Sequence, residues 1–421
     1  METYSPVASA PNAAASAPTN YRSALSIVTL LFFMWGSLTA LNDVLIPHLK
    51  AVYQLSYVQA MMVQCCFFGA YFIVSLPAGM LIRKIGYQRG AVAGLLIAAS
   101  GCALFYPAAN SGYALFLFAF FVLASGITVL QVAANPYVAA LGEPRNASSR
   151  MSLAQAFNSL GTTIAPALGG MLILAGGALS HGAASGGAAA EASTVQGPYL
   201  VLAAALLVLA VLFSLARLPH IEAGEPPAAA REGWGALLAH RHLVLGAVAI
   251  FLYVGGEVSI GSFLVNYFGE PQVASLAPAD AARYVSYYWG GAMIGRFVGS
   301  AAMHYVKPGN ALAFNAAAVI ALVLLSIFSH GGVAMWAILA VGLFNSIMFP
   351  TIFSIALKDL GHLTGPGSGL LCMAIAGGAI VPLLQGAVGD AAGVQWSFLI
   401  PAACYTFILY YGLKYAGIYD R

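Results

Sequence analysis

Residues 90–142 read GAVAGLLIAASGCALFYPAANSGYALFLFAFFVLASGITVLQVAANPYVAALG and contain no charged side chain. A helix that crosses a bilayer needs roughly 20 mostly apolar residues, so this stretch is long enough for two such helices. The segment YPAANSGY, residues 106–113, lies between its two apolar parts and carries the Pro, Asn and Gly residues typical of a turn. The pattern therefore predicts two membrane-spanning helices joined by a short turn.

The composition of the whole chain extends this prediction. Of the 421 residues, 61% are hydrophobic and only 7% are charged, whereas about a quarter of the residues in a soluble domain are charged. So little charge disfavours a soluble enzyme or a nucleic-acid-binding protein, because it can neither solvate a surface nor neutralise phosphates. The sequence also lacks a Walker loop, an HExxH motif and a GxSxG motif. We therefore expect an all-α membrane protein with no catalytic residues, embedded in a lipid bilayer and binding no nucleic acid.

Charge-free runs recur along the chain and predict twelve membrane-spanning helices, with a polar stretch at 216–242 that divides them into six and six. The expected limits are 23–46, 57–81, 89–108, 113–140, 151–175, 197–216, 243–267, 282–303, 310–328, 333–357, 367–388 and 395–416. The expected organisation is a disordered cytoplasmic tail (1–22), an N-terminal six-helix half (23–216), a cytoplasmic linker (217–242), a C-terminal six-helix half (243–416) and a short cytoplasmic tail (417–421).

The basic residues predict the orientation. Of the 16 Lys and Arg residues, all except Lys50, Arg283 and Arg296 fall on one side of the twelve-span arrangement. Because Lys and Arg accumulate in cytoplasmic loops, we expect this side and both termini to face the cytoplasm.

A weak internal repeat relates the two halves. The order Pro, Gly, Pro along the fourth and fifth spans returns along the tenth and eleventh, at Pro136, Gly142, Pro166, Pro350, Gly361 and Pro382. Pro and Gly are frequent in membrane helices generally, which is the alternative explanation. Duplicated halves with interrupted helices are typical of secondary transporters, whose binding site lies between the halves near the middle of the bilayer. We favour the repeat because the polar stretch at 216–242 lies at the expected division.

Two acids lie within the predicted spans. Glu257 is close to the middle of the seventh span, where insertion of an acid costs roughly 2.5–3.5 kcal/mol. We favour a substrate acceptor or proton site over a neutral acid that joins two helices, because Ser259, Ser262 and Asn266 continue a polar stripe. Asp43 lies toward the outer end of the first span, and spacing alone does not decide between a functional and an interfacial carboxylate.

An amide cluster occupies the fourth and fifth spans, at Gln131, Asn135, Gln155 and Asn158. Amides donate and accept hydrogen bonds, which suits a neutral polyhydroxylated ligand. The alternative is hydrogen bonding between helices, worth about 0.6 kcal/mol per contact in membranes. We favour ligand contact. Further candidates for the substrate site are Asn42, Trp289 and Asn345, whereas Arg296 is expected to be structural, pairing with backbone or with a carboxylate.

Six segments carry recognisable motifs: LNDVLIPHLK (41–50), QCCFFGAYFIVSLPAG (64–79), GCALFYPAA (101–109), LQVAANPYVAALG (130–142), LAQAFNSLGTT (153–163) and FPTIFSIALKDLG (349–361). Together they resemble the fucose, galactose and glucose permease family of the major facilitator superfamily. The resemblance covers nearly all of the chain from residue 23 to residue 415. It implies the twelve-helix major facilitator fold, an inner-membrane location and cation-coupled uptake of a monosaccharide by alternating access.

The resemblance also assigns roles to individual residues. In the fucose–proton permease, an Asp matching Asp43 and a Glu matching Gln131 are both needed, so the amide here breaks the two-carboxylate relay. Glu257 stands where that permease has Gln, and the motifs are closer to the glucose/galactose branch. Asp43 and Glu257 are therefore the expected cation-coupling residues. A sodium site near Asp43 is an open alternative to a proton. Arg83 replaces the acid usual in the superfamily's cytoplasmic gate motif, while Gly79 can still support close packing.

The sequence as a whole predicts a symporter that imports glucose or galactose, driven by protons or sodium, and functions as a monomer in a bacterial-type inner membrane. N-acetylglucosamine or fucose is the alternative substrate. A drug exporter fits less well because it would need a larger apolar cavity and fewer amides. No cofactor other than the co-transported ion is expected.

Overall fold

The structure is a computed structural model that describes residues 21–52, 57–180, 196–216, 218–219 and 234–418. Within these ranges it leaves out the side chains of residues 21–23, 40–65, 109–110, 165–180, 234, 278–279 and 282. The expected tail at 1–22 and most of the expected linker at 217–242 lie outside the described residues, as do residues 419–421.

The first half consists of six long helices joined by short connections where the chain is described. They are α1 (Tyr21–Val52), α2 (Tyr57–Ile85), α3 (Tyr87–Ser111), α4 (Tyr113–Ala140), α5 (Ala147–Ser180) and α6 (Gln196–Leu215). The expected span 113–140 coincides with α4. The expected span 23–46 is shorter than α1, because hydropathy marks only the apolar part of a helix that continues beyond the hydrocarbon layer.

The second half begins with a short helix and continues with long helices, some of which are interrupted. The helices are α7 (Trp234–Ala239), α8 (Arg241–Gly269), α9 (Pro278–Ala302), α10 (Pro308–Phe328), α11 (Gly331–Asn345), α12 (Met348–Leu357), α13 (Thr364–Met373), α14 (Gly377–Ala392), α15 (Val394–Ser397) and α16 (Leu399–Lys414). Among the described residues, nine helical segments are long and apolar enough to cross a membrane. The described part of the chain therefore forms a multi-pass membrane fold whose regular elements are helices.

The two halves pack by the same scheme. In the first half α1 packs on α5, α3 packs on both α4 and α6, and α2 packs on α4. In the second half α8 packs on α14, α10 packs on both α11 and α16, and α9 packs on α11. The glycines matched by the repeat, Gly142 and Gly361, both adopt positive φ, at 106° and 51°, in the connections after α4 and α12. The shared scheme supports the duplication inferred from the sequence.

Candidate functional site

One end of the helix bundle carries Arg83, Lys84, Arg145, Lys307 and Lys358, and we call it the basic end. The two halves are joined there by hydrogen bonds. Ser148 Oγ lies 2.5 Å from Ser354 Oγ, which joins α5 to α12.

A reciprocal pair of hydrogen bonds joins α5 to α9 at the same end. Ser149 Oγ donates to Ser300 O at 2.6 Å, and Ser300 Oγ donates to Ser149 O at 2.9 Å. His304 Nε2 lies 3.2 Å from Ser149 Oγ. We call these contacts of α5 with α9 and α12 the seam, and its four serines, Ser148, Ser149, Ser300 and Ser354, are all buried. Because these contacts cross from one half to the other, the halves cannot separate at the basic end without breaking them.

Close backbone packing joins α2 to α13 beside this seam. A Cβ added to Gly79 would lie only 2.7 Å from Gly365 O, which confirms the close packing expected at Gly79. Ser368 Oγ in α13 donates to Val132 O in α4 at 2.9 Å. Val132 is four residues before Pro136, which has no N–H to donate to that carbonyl. A contact between the halves therefore uses the backbone acceptor that the proline leaves free.

Pro350 has the same effect in the second half. It leaves the carbonyl of Ser346 without its usual helical donor, and the rod is interrupted between α11 and α12. Arg296 Nε donates to Ser346 O at 3.3 Å. The expectation that Arg296 pairs with backbone or with a carboxylate is met by this bond and by the contact described next.

Arg296 joins three helices at one point. Its Nη2 lies 4.0 Å from Glu257 Oε1 in α8, and both side chains are nearly buried, at 14% and 13% exposure. Its Nη1 donates to Ser159 Oγ in α5. The guanidinium provides the opposite charge that a buried carboxylate needs. Arg296 thus connects the acid of the second half directly to the first half.

The face of α9 that meets the first half contains Met293, Arg296 and Ser300, which recur at spacings of three and four. Thr163 Oγ on α5 lies 3.7 Å from Met293 Sδ. Trp289 is one turn further from the basic end on the same face, and it is 44% exposed. It also packs on α8, since a Cβ at Gly261 would lie 3.0 Å from its indole ring. Trp289 therefore packs on α8 from the face of α9 that also carries the contacts with α5.

Buried tyrosines surround Glu257 and Asn345. Asn345 Nδ2 donates to Tyr288 OH at 2.8 Å, and Tyr253 OH donates to Asn345 O at 3.0 Å. Tyr288 OH lies 3.4 Å from Glu257 O. Among the described residues, Glu257 Oε1, Asn345 Oδ1 and Tyr405 Oη make no hydrogen bond, although Glu257 Oε1 faces the Arg296 guanidinium at 4.0 Å. Buried polar atoms without a partner are costly, so each needs an explanation such as a ligand or water.

The amides of the first half fall into two groups. Gln131 and Asn135 are buried on α4, where Gln131 Nε2 donates to Tyr71 OH while Gln131 Oε1 and both polar side-chain atoms of Asn135 lack a partner among the described residues. Gln155 is buried on α5, one turn before Ser159. Asn158 instead donates from Nδ2 to Phe32 O in α1 at 3.0 Å. Asn158 therefore has a helix-joining contact in this state.

The remaining candidates, Asn42 and Asp43, lie on α1, but their side chains are outside the described residues. Arg296, Tyr71 and Tyr253 were not predicted as site residues from the sequence. For Tyr253 a signal was available, because it precedes Glu257 by four residues and so shares its helix face.

Among the described residues, no group of three or more His, Cys, Asp or Glu side chains could hold a metal ion.

Known proteins share the sequence and the fold of this chain. The family model of the Major Facilitator Superfamily matches residues 25–376. The chain is 58% identical over 399 residues to a glucose/galactose transporter of Brucella abortus, covering 94% of this chain and 95% of that protein. It is 35% identical to the L-fucose-proton symporter of Escherichia coli, covering 91% of each.

A solved structure agrees. The crystal structure of the transporter FucP in the outward conformation superposes with a TM-score of 0.85 at 34% identity, covering 94% of this chain and 99% of that one. Together with the duplicated halves joined at the basic end, these matches show that the chain belongs to the major facilitator superfamily.

Proposed function

We propose that this protein imports a monosaccharide, glucose or galactose, together with a proton or a sodium ion. One observation carries the proposal: among the described residues, buried polar atoms of both halves make no hydrogen bond, namely Gln131 Oε1, both polar side-chain atoms of Asn135 and Asn345 Oδ1. Glu257 Oε1 makes no hydrogen bond either and has the Arg296 guanidinium 4.0 Å away. A sugar offers many hydroxyls that both donate and accept, so it would satisfy amide and carboxylate groups from two sides. The name of the Brucella relative, a glucose/galactose transporter, supports this substrate.

The transport cycle starts from the state in which the two halves are in contact at the basic end. We assign this end, with both termini, to the cytoplasm by the positive-inside rule. We also propose twelve spans, from the apolar runs of the sequence, and an inner-membrane location, which the bacterial relatives support. Sugar then enters from the opposite end while the seam between α5 and α9 is closed. Release into the cytoplasm requires the halves to part along this seam, as in alternating access around a fixed site. Both moving halves belong to one chain, which supports our proposal that a monomer is sufficient.

Arg296 links occupancy of the site to this movement. Its guanidinium contacts Glu257 in the site and Ser159 across the seam, so parting of the halves must break the second contact. A sugar hydroxyl that donates to Glu257 competes with the first contact and changes the position of the guanidinium. We assign Glu257 to sugar binding in the first place, with ion coupling as its alternative role, and Asp43 to ion coupling.

Other substrates fit an amide-rich site to different degrees. N-acetylglucosamine and fucose would both fit an amide-rich site, and the 35%-identical relative is a fucose-proton symporter. An exporter of apolar drugs fits poorly, since polar atoms without partners would face an apolar ligand and stay unsatisfied.

Uptake by proteoliposomes tests the proposal. Purified protein is reconstituted and supplied with radiolabelled glucose, galactose, fucose and N-acetylglucosamine, with pH and sodium gradients imposed separately. We expect accumulation of glucose or galactose under one of the two gradients. Absence of counterflow with every sugar would reject a sugar transporter, whereas counterflow without accumulation under either gradient would reject symport.

A further inference from the structure

A cavity lies at the basic end, apart from the residues proposed for sugar binding. Its volume is about 290 Å³, and the residues around it include Arg145, His304, Tyr305, Lys307, Pro308 and Ala416. Arg145 belongs to the turn that precedes α5, whereas His304, Tyr305 and Lys307 belong to the connection between α9 and α10. None of these residues is among those proposed for sugar binding.

The lining of this cavity suits an anion. Arg145 and Lys307 carry positive charge, and none of the lining residues that the structure describes is acidic. Lys307 and Pro308 also form the N-terminus of α10, a helix of 21 residues. A lysine ammonium has no acceptor and cannot cap a helix, so the positive end of the helix dipole adds to the charge of the side chains.

The cavity is built from both halves. Arg145 comes from the first half, and His304 of the second half lies 3.2 Å from Ser149 Oγ in the seam. When the halves part at this end, Arg145 must move away from His304 and Lys307. A ligand that contacts both walls is therefore bound only while the basic end is closed, and it favours the closed state by its differential affinity.

We propose that this cavity binds a small phosphate ester from the cytoplasm and thereby holds the basic end closed. Arg and Lys are the side chains that recognise phosphate oxygens. A volume of about 290 Å³ is at the lower limit for small-molecule sites, which suits a sugar phosphate better than a nucleotide. Phosphorylation is the class of reaction that consumes an imported sugar and yields such an ester. Resting on the proposed function, the site would make sugar uptake respond to its own downstream product.

Glucose counterflow in proteoliposomes of phosphatidylcholine tests the site, with glucose 6-phosphate on both sides and ionic strength matched with chloride. We expect the ester to lower counterflow at least about fivefold, the lower end of typical coupling between sites. The variant Arg145→Gln/Lys307→Gln should escape inhibition. The control Arg241→Gln/Lys414→Gln also removes two positive charges from the basic end but outside the cavity, and it should stay inhibited.

The control pair separates this mechanism from two others. Competition by the ester at the sugar site would persist in the cavity variant and would overturn the proposal, as would equal escape in both variants. An anionic lipid headgroup has the same phosphate chemistry, so a parallel arm replaces the ester with phosphatidylglycerol vesicles. Inhibition by phosphatidylglycerol alone, lost only in the cavity variant, would assign the site to lipid. Inhibition in neither arm would reject the site.

Calorimetric titration of glucose 6-phosphate into the purified protein gives a readout that does not depend on transport. Binding that is lost in the cavity variant and retained in the control supports the site even if no sugar is transported, in which case the proposed function alone fails. Normal sugar counterflow without any binding of the ester or effect of phosphatidylglycerol rejects the site and leaves the proposed function intact.

Discussion

Replacing Gly79 with alanine should bias the protein toward the state that is open at the basic end. The new Cβ would lie 2.7 Å from Gly365 O and 3.1 Å from Pro366 Cα, both of them backbone atoms that cannot rotate away. Relief requires α2 and α13 to move apart by several tenths of an ångström. Overpacking of this kind costs about 1–3 kcal/mol. The cost falls only on the closed state, so the ratio of open to closed molecules should rise about 5- to 150-fold.

Gly69→Ala is the matched control. Gly69 lies in the same helix, and a Cβ there would meet nothing within 4 Å. Both substitutions carry the same gain in helix propensity of about 1 kcal/mol, so the difference between them isolates the contact with α13.

Spin labels can report this opening. Lys84→Cys and Asp359→Cys place labels on the first and second halves at the basic end, where both native side chains are exposed, in a background whose five native cysteines are replaced. Pulsed electron paramagnetic resonance should show a larger long-distance population for Gly79→Ala than for Gly69→Ala. Identical distance distributions in the two variants would refute the role of this contact as a gate.

Four further outcomes follow from the seam and the site. Ser148→Cys with Ser354→Cys should form a disulfide on mild oxidation, because the native oxygens are 2.5 Å apart, and counterflow should stop until a reductant is added, with each single variant as control. Glu257→Gln should weaken sugar binding about 10- to 100-fold, as expected for a charged hydrogen bond, yet preserve accumulation at saturating sugar; unchanged affinity with lost accumulation would assign it to ion coupling. Asp43→Asn should abolish accumulation of sugar against its gradient while sugar counterflow persists. In the unaltered protein a potential of 100 mV can drive that accumulation to about 40-fold, and intact accumulation in the variant would contradict the coupling role. Gln131→Ala should lower sugar affinity up to about tenfold in equilibrium binding, and unchanged affinity would make Gln131 a helix contact only.

Hydropathy predicted the helices well because the bilayer imposes a length on every apolar run. The expected span 113–140, for example, coincides with α4 at Tyr113–Ala140, one of the nine helical segments found among the described residues. Hydropathy could not predict the contact of Arg296 with Ser159, since the two residues are 137 positions apart and meet only when the halves are packed in one particular state. Hydropathy could not predict the contact of the Tyr71 hydroxyl in α2 with Gln131 in α4 either. Polar residues inside spans could be found from the sequence, but their partners could not.

The prolines of the repeat connect the duplicated architecture to the closed state. A proline inside a helix leaves the carbonyl four residues earlier without a donor, and in a membrane that carbonyl needs another partner. Pro136 and Pro350 lie at corresponding places in the two halves. The carbonyl freed by the first accepts from Ser368 of the opposite half, and the carbonyl freed by the second accepts from Arg296, which itself reaches Ser159 of the opposite half. The proline repeat therefore provides free backbone acceptors where the halves meet. When the basic end opens, these acceptors need new donors, and water that enters between the parted halves can supply them.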